Sequence, residues 1–365
     1  MKITCEKSIL VNAMRIILKA IPKRTTNPIM ECVLIEADKE IISLTSNDME
    51  IAINTNLDGE TKEPGRTAIE ANMLFNIANK LPNGNITIST DTDDSSATIK
   101  GGKSKFQIPC KNADDFIGMP QFENGIQFSI PADDLKDLIV SVAFCSELNG
   151  NNAMMGGCKL QIKGNELSLC ALDGHRIGIK KFTLNEYPED TEAVIPTRTL
   201  LEISKILTGG DAVKIVVSKA NVIFQFGETV VLSRLIAGEY FNFERIFKSE
   251  PTAVMHFSAE DFSDCVNRAT VLIRESDKKP LILDISDNNV HFFAQSNVGT
   301  ANEDLDIEKT GSDLRVGYNP RFLLDAINAI DHDNIEMRMC GARGPAIFTE
   351  DDDRYAYVVL PVNIS

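Results

Sequence analysis

One pattern, a short strand running into an amphipathic helix, occurs in this chain three times at matched positions, and such a repeat limits the fold more than any local propensity does. The first landmark is Ile3-Thr4-Cys5 leading into a helix from Ser8. It returns as Phe128-Ser129-Ile130 leading into Ala132-Asp133-Asp134, and as Phe257-Ser258 leading into Ala259-Glu260-Asp261. Each helix is expected to open at a capping residue or with acids in its first turn. In the first copy Ile9, Leu10, Ala13, Ile16, Ile17 and Ala20 share one face, while Ser8, Asn12, Arg15 and Lys19 share the other, which is helical periodicity. A second strand-turn-helix landmark occupies residues 68–75, 194–201 and 316–323, followed by alternating stretches at 85–90, 212–217 and 334–339. Between these lies a strand running into a polar turn, at residues 44–50, 169–175 and 293–297.

Three landmarks in one order define a unit of roughly 120 residues with two helices among many short strands. Breaks at Asn124-Gly125 and Glu250-Pro251 divide the chain into domains 1–124, 125–250 and 251–365. At 365 residues the chain exceeds what one core supports, since single cores stop growing near roughly 250–300 residues. The expected class is α+β in three tandem repeats, because a solenoid has shorter units and a parallel βαβ sheet more helices.

Composition narrows the function. Hydrophobic residues at 43% and charged residues at 25% describe a globular chain. The first residues carry charges at close intervals, and no apolar run reaches the roughly 18 residues of a membrane span, so a cytoplasmic location is expected. Eight cysteines without a Cys-x-x-Cys pair read as reduced, mostly buried thiols. A net charge of -16 by itself points away from nucleic acid, because binding through phosphates needs lysine and arginine.

Enzyme readings rest on Asp173-Gly174-His175-Arg176, a turn where a general base could stand. No Gly-x-Ser-x-Gly elbow, phosphate loop, Gly-x-Gly-x-x-Gly fingerprint or His-Glu-x-x-His accompanies it, and there are four histidines, at 175, 256, 291 and 332. The aspartates at 91, 93 and 94 and at 351–353 are either cation ligands or solvated hairpin turns. Neither run has the glycine and distal glutamate of a calcium loop. No catalytic residue, metal or cofactor is expected.

The most specific stretches are residues 43–50 (Ser-Leu-Thr-Ser-Asn-Asp-Met-Glu), 172–176 (Leu-Asp-Gly-His-Arg), 233–241 (Ser-Arg-Leu-Ile-Ala-Gly-Glu-Tyr-Phe) and 356–362 (Ala-Tyr-Val-Val-Leu-Pro-Val). As a set, and over essentially the whole chain, they resemble the beta subunit of bacterial DNA polymerase III, the sliding clamp family. The resemblance implies an accessory subunit without chemistry of its own. It implies a head-to-tail homodimer that closes into a ring, with helices lining the hole and sheets outside. A ring holds duplex DNA by topology, so an acidic exterior around a weakly basic lumen is compatible with sliding.

The resemblance also assigns residues. Arg15, Lys19, Lys136, Arg198, Lys205, Arg268 and Arg321 fall on or beside the repeated helices, as lumen bases or as a solvated helix face. Arg24, Asn149 and Asn152 match loop positions near DNA. Phe106 and Ile108 match an interface strand, with Leu272 and Ile273 opposite, and all four are alternatively core residues. Lys103 and Lys105 flank Phe106 and could pair with Glu303 or Asp304 of a neighbour. A peptide pocket matches Met155, Leu172, Gly174, His175, Arg176, Ile177, Phe241, Arg245, Ile246, Val358, Leu360 and Val362. The apolar members supply burial and the polar ones orientation; the plain alternative is a final strand and a core leucine. Leu360 and Val362 stand where methionine is frequent in the family. The implied partners are the polymerase III alpha subunit, the clamp loader and other proteins carrying a clamp-binding peptide, competing for one pocket. A protein scaffold without DNA would share the repeats and the pocket but have no need of the lumen bases.

Overall fold

The computed structural model describes residues 1–365 apart from 91–94, 121–123, 149, 211, 244–245, 274–278, 331, 350–353 and 365. One order of elements recurs three times, with five strands between the two helices in the first and third copies and four in the second. The first repeat holds β1 (Lys2–Glu6), α1 (Lys7–Ile17), β2 (Cys32–Ala37), β3 (Ile42–Asn47), β4 (Ile51–Asn56), β5 (Glu60–Glu63), β6 (Gly65–Glu70), α2 (Ala71–Lys80), β7 (Asn85–Thr90), β8 (Ser96–Gly101) and β9 (Ser104–Lys111). The second holds β10 (Ile126–Pro131), α3 (Ala132–Ala143), β11 (Gly157–Lys163), β12 (Glu166–Leu172), β13 (Arg176–Thr183), β14 (Thr191–Pro196), α4 (Thr197–Ile206), β15 (Ala212–Val217), β16 (Asn221–Phe226) and β17 (Thr229–Arg234). The third holds β18 (Ala253–Ser258), α5 (Ala259–Thr270), β19 (Leu281–Ser286), β20 (Asn289–Gln295), β21 (Thr300–Asp306), β22 (Glu308–Gly311), β23 (Leu314–Tyr318), α6 (Pro320–Asn328), β24 (Asn334–Met339), β25 (Ala346–Thr349) and β26 (Tyr355–Val359). The stretches 85–90, 212–217 and 334–339 are β7, β15 and β24 end to end. The class is α+β in three tandem domains.

Three helix starts follow side-chain chemistry. Glu70 accepts from the N–H groups of Asn72 and Met73 at α2, Ser258 accepts from Asp261 N–H at α5, and Asn319 accepts from Arg321 N–H with Pro320 in the first turn of α6. The first helix departs from expectation. It opens at Lys7 rather than Ser8, with no side-chain cap and no acid in its first turn. Strand β1 runs straight into it, and the Lys7 N–H is satisfied by the Gly84 carbonyl at 3.0 Å instead. Its buried stripe is Leu10, Val11, Ala13, Met14 and Ile17; Ile9 and Ile16, expected inside, are half-buried at its margins.

The chain forms two compact units, residues 1–133 with 202–235 and residues 134–201 with 236–365. The first carries one sheet in the order β10-β15-β16-β17-β4-β3-β2-β6-β9-β8-β7-β1-β5. The second carries β14-β11-β12-β13-β26-β25-β24-β18-β22 and a smaller sheet β21-β20-β19-β23. Strands of the second repeat are therefore shared. β17 pairs antiparallel with β4 of the first repeat, and β13 pairs antiparallel with β26 of the third. The sequence breaks mark copies of one unit, whereas the packing joins each copy to the next across strand edges. All eight cysteines are free; six are buried, and Cys110 and Cys340 are half-buried.

Candidate functional site

Strand β12 ends at Leu172 and passes to β13 through Asp173-Gly174-His175. Asp173 Oδ1 accepts from the backbone N–H groups of His175 at 3.0 Å and Arg176 at 3.1 Å, closing an Asx turn. Gly174 takes φ +83° there, a left-handed conformation that glycine adopts without penalty. The register places Leu172 opposite Ile177, and Ile177 opposite Val358. Directly opposed residues share a face, so three apolar side chains form a row across three strands. All three are buried; with Cys170 and Ile347 they form a cluster on which Met155, Tyr240, Phe243, Ile246 and Phe247 pack.

A cavity of ≈ 210 Å³ opens over this row, lined by Met155, Leu172, Gly174, His175, Arg176, Ile177, Phe241, Ile246, Val358 and Leu360. Phe241 is 58% exposed and Leu360 37% exposed, so the rim presents uncovered apolar surface. The Leu360 N–H donates to the His175 carbonyl at 2.8 Å, fixing the tail strand against the turn.

Arg176 organises the polar side. Its Nε donates to Asp173 Oδ2 at 2.9 Å, Nη1 to Asp325 Oδ2 and Nη2 to the Phe144 carbonyl at 2.6 Å. The guanidinium lies 4.3 Å from the Phe322 ring centroid and 5.4 Å from that of Phe144, and His175 stacks on Phe322. Burial works against the charge, but Tyr357, Cys145, Asp173 and the Asp325 hydrogen bond outweigh it and hold the pKa above the ordinary arginine value. Behind the cavity Tyr240 donates to the Gly157 and Cys170 carbonyls at 3.2 and 3.4 Å, and burial pushes its phenol up. Burial also raises the thiols of Cys145, Cys158 and Cys170, that of Cys158 to about 12. They are neutral packing groups and not nucleophiles. The Asp173 carboxylate is engaged by the turn and by Arg176, leaving the His175 ring stacked rather than oriented as a base.

Ten of the twelve residues expected in a peptide pocket line this cavity. Arg245 lies outside the described residues. Val362 does not join them: beyond Pro361 the tail pairs with Gly317, Val362 N–H donating to the Gly317 carbonyl at 2.8 Å, and Val362 lines a separate recess with Arg315 and Arg343.

The bases expected to face DNA are exposed or half-buried, and most are held. Lys205 Nζ bonds Glu202 Oε1 at 2.9 Å and Lys19 Nζ lies 3.4 Å from Glu202 Oε2. Burial works against the Glu202 charge, but Lys205 and Lys19 outweigh it and bring its pKa below the ordinary value. Arg268 pairs with Glu303 at 2.9 Å and Asp264 at 3.7 Å. Arg15 donates to Asn12 Oδ1 at 3.3 Å, and Asn152 accepts from Met154 N–H at 3.0 Å. Arg24, Lys136, Arg198 and Arg321 are exposed. Asn149 and both aspartate runs lie outside the described residues. Among the described residues no group of His, Cys, Asp and Glu stands together as a metal site.

Residues 1–120 match the N-terminal domain family of the DNA polymerase III beta subunit, residues 129–242 its central domain and residues 244–363 its C-terminal domain. The chain belongs to the DNA polymerase III beta subunit family. It is 28% identical over 378 residues to the beta sliding clamp of Staphylococcus epidermidis, covering 99% of each chain. Among solved structures, one assigned as a DNA polymerase III beta subunit from Eubacterium rectale superposes with TM-score 0.97 at 37% identity over 100% of this chain and 99% of that one. The Bacillus subtilis DNA polymerase sliding clamp superposes with TM-score 0.96 at 27% identity over 100% of both. Members of the beta subunit family are non-catalytic accessory subunits.

For a beta subunit, the strand β9 residues are informative. Phe106 is 40% exposed, bordering an open recess with Met73, Ile77 and Lys80 of α2. Ile108, expected beside it at an interface, is 8% exposed and so buried within its own chain, two residues on from Phe106 along the strand. Leu272 and Ile273 are half-buried just after α5. Glu303 and Asp304 already pair within the chain, with Arg268 and His291. Sequence reasoning missed Phe144, Phe322 and Asp325, which hold Arg176, and Glu202, which holds two lysines. Asp325 stands 149 positions from Arg176, which no local pattern signals; the spacing of three between Glu202 and Lys205 was a local signal, whereas the reach to Lys19 was not.

Proposed function

We propose that this beta subunit acts as a processivity clamp that closes head-to-tail with a second copy around duplex DNA and holds client proteins by a short peptide seated over Leu172, Ile177 and Val358. The observation that carries the closure is a pairing rule used twice within the chain. The last strand of one repeat, β17 or β26, lies against the third strand after the first helix of the preceding repeat, β4 or β13. By the same rule the last strand of the first repeat, β9, and the third strand of the last repeat, β21, lack their partners. β21 ends its sheet, and β9 pairs beyond β8 only through Cys110 and Lys111. A heterologous edge of this kind is satisfied by another copy.

The β17–β4 pair, whose β16–β17 hairpin has the same loop length as β8–β9, supplies a register for that contact. The β16–β17 hairpin closes at Phe226↔Thr229 and the β8–β9 hairpin at Gly101↔Ser104, so Ser104 corresponds to Thr229. The β3–β4 turn closes at Asn47↔Ala52 and the β20–β21 turn at Gln295↔Thr300, so Glu303 corresponds to Thr55. Thr229 stands opposite Thr55. Ser104 then faces Glu303 of a second copy, Phe106 faces Ala301, and Lys103 faces Asp304, a basic strand against an acidic one. Leu272 approaches the Gly299 backbone on that face, within reach of Phe106. Apolar contact carries most of this closure, because exposed ion pairs contribute only about 0–1 kcal/mol each.

The same reading takes 1–124, 125–250 and 251–365 as the domains, the cytoplasm as the location, and the polymerase III alpha subunit, the clamp loader and other peptide-bearing proteins as clients. Mild oxidation of the double variant Ser104→Cys/Glu303→Cys tests the closure: a covalent dimer on a non-reducing gel is expected. Absence of the crosslink, with efficient crosslinking from a pair two residues out of register, would overturn the pairing.

A further inference from the structure

We propose that Glu202 is a positioning residue for sliding: it holds Lys19 and Lys205 in carboxylate pairs, so that exchanging that carboxylate for a DNA phosphate gains little. The inference rests on the assignment of these lysines to the DNA-facing surface.

Glu202 sits on α4 between a lysine three residues ahead of it and a lysine just beyond α1. Its two oxygens are divided, Oε1 to Lys205 Nζ at 2.9 Å and Oε2 to Lys19 Nζ at 3.4 Å. Its side chain is only 20% exposed while that of Lys205 is 53% exposed. Lys19 is 31% exposed, so the carboxylate is the most covered of the three and the ammonium groups, Lys205 above all, are better placed to turn toward a phosphate. An unpaired lysine near a duplex pairs with a phosphate and releases counterions, which strengthens binding and makes it salt-dependent. A lysine that must first leave a carboxylate exchanges one anionic partner for another, so the exchange is nearly neutral and the energy along the DNA stays level. In the third repeat Arg268 is likewise engaged by carboxylates, here two acids on one cation, Glu303 and Asp264. A ring that retains DNA by enclosure needs no net attraction, and strong lysine–phosphate pairing would slow its movement.

Binding to a labelled 30-base-pair blunt duplex, followed by anisotropy across a salt series, separates the possibilities. Glu202→Gln keeps the side-chain shape and removes the charge. It is expected to tighten binding at low salt and to steepen the salt dependence, each further phosphate neutralised adding about 3.5-fold to the affinity lost between 50 and 200 mM salt. The tightening should vanish in Glu202→Gln/Lys19→Ser/Lys205→Ser, and thermal melting confirms that the variants fold. Unchanged binding of Glu202→Gln, with Lys19→Ser/Lys205→Ser weaker than the parent, overturns the brace and leaves the DNA-facing assignment standing. Tightening by Glu202→Gln that persists in Glu202→Gln/Lys19→Ser/Lys205→Ser overturns that assignment and the brace with it.

Discussion

Replacing Leu360 by aspartate should abolish client-peptide binding without unfolding the protein. Leu360 is 37% exposed at the rim of the ≈ 210 Å³ cavity, and its backbone N–H to the His175 carbonyl survives any non-proline substitution. The folded protein therefore loses little, within about 0.5 kcal/mol as for other surface positions. A bound apolar anchor loses more. Burying a leucine-sized side chain is worth about 1.5–3 kcal/mol, and a carboxylate at the rim either strips its hydration against that anchor or keeps water in the cavity. A loss of about 2–3 kcal/mol corresponds to roughly 30- to 150-fold in affinity. Fluorescence polarisation with a labelled clamp-binding peptide carrying glutamine and apolar anchors reads this directly, with thermal melting as the control for folding. Affinity within threefold of the parent, in a variant that melts normally, would refute the assignment of the cavity to clients.

Three further outcomes follow from the same geometry. Arg176→Ala leaves Asp173 and Asp325 without their cation and the Phe144 carbonyl without its donor, and should destabilise the protein by about 3 kcal/mol; a shift in urea denaturation under 1 kcal/mol would contradict the network. Ellman's reagent at pH 8 should titrate Cys110 and Cys340 first and the other six thiols only after denaturation; rapid reaction of Cys158 in the native protein would be inconsistent with its burial. Glu202 should titrate below its ordinary value of 4.5. The folded-state value is depressed, so the stability from its lysine pairs is complete above the unfolded value and lost as pH falls through the folded one. A carboxyl NMR titration with a midpoint at or above 4.5 would show that Lys19 and Lys205 do not hold it.

Much of the fold was legible because a threefold repeat turns weak local signals into a consistent set. Residues 85–90, 212–217 and 334–339 alternate, each after a helix, and all three proved to be strands over those bounds. The pocket residues came from the family resemblance; the part visible locally was the strand running into a polar turn at 169–175, where Asp173 and Gly174 make the reversal before Ile177. What escaped was the work of distant residues. The start of α1 was misplaced because a carbonyl at Gly84, not a side chain, satisfies Lys7. Val362 was placed in the pocket by the family resemblance alone, whereas β26 ends at Val359 and Val362 pairs with Gly317. The sharing of the second repeat between two sheets depends on edge pairings such as Thr55 with Thr229, which no spacing within either strand encodes.

Topological retention on DNA tests the central claim most directly. The protein is loaded onto a nicked circular plasmid with a bacterial clamp loader and ATP, free protein is removed, and the circle is then cut once. Protein that stays on the circle and departs after cutting is the predicted result. Equal retention on circular and linear DNA, or no association in the presence of an active loader, would contradict it.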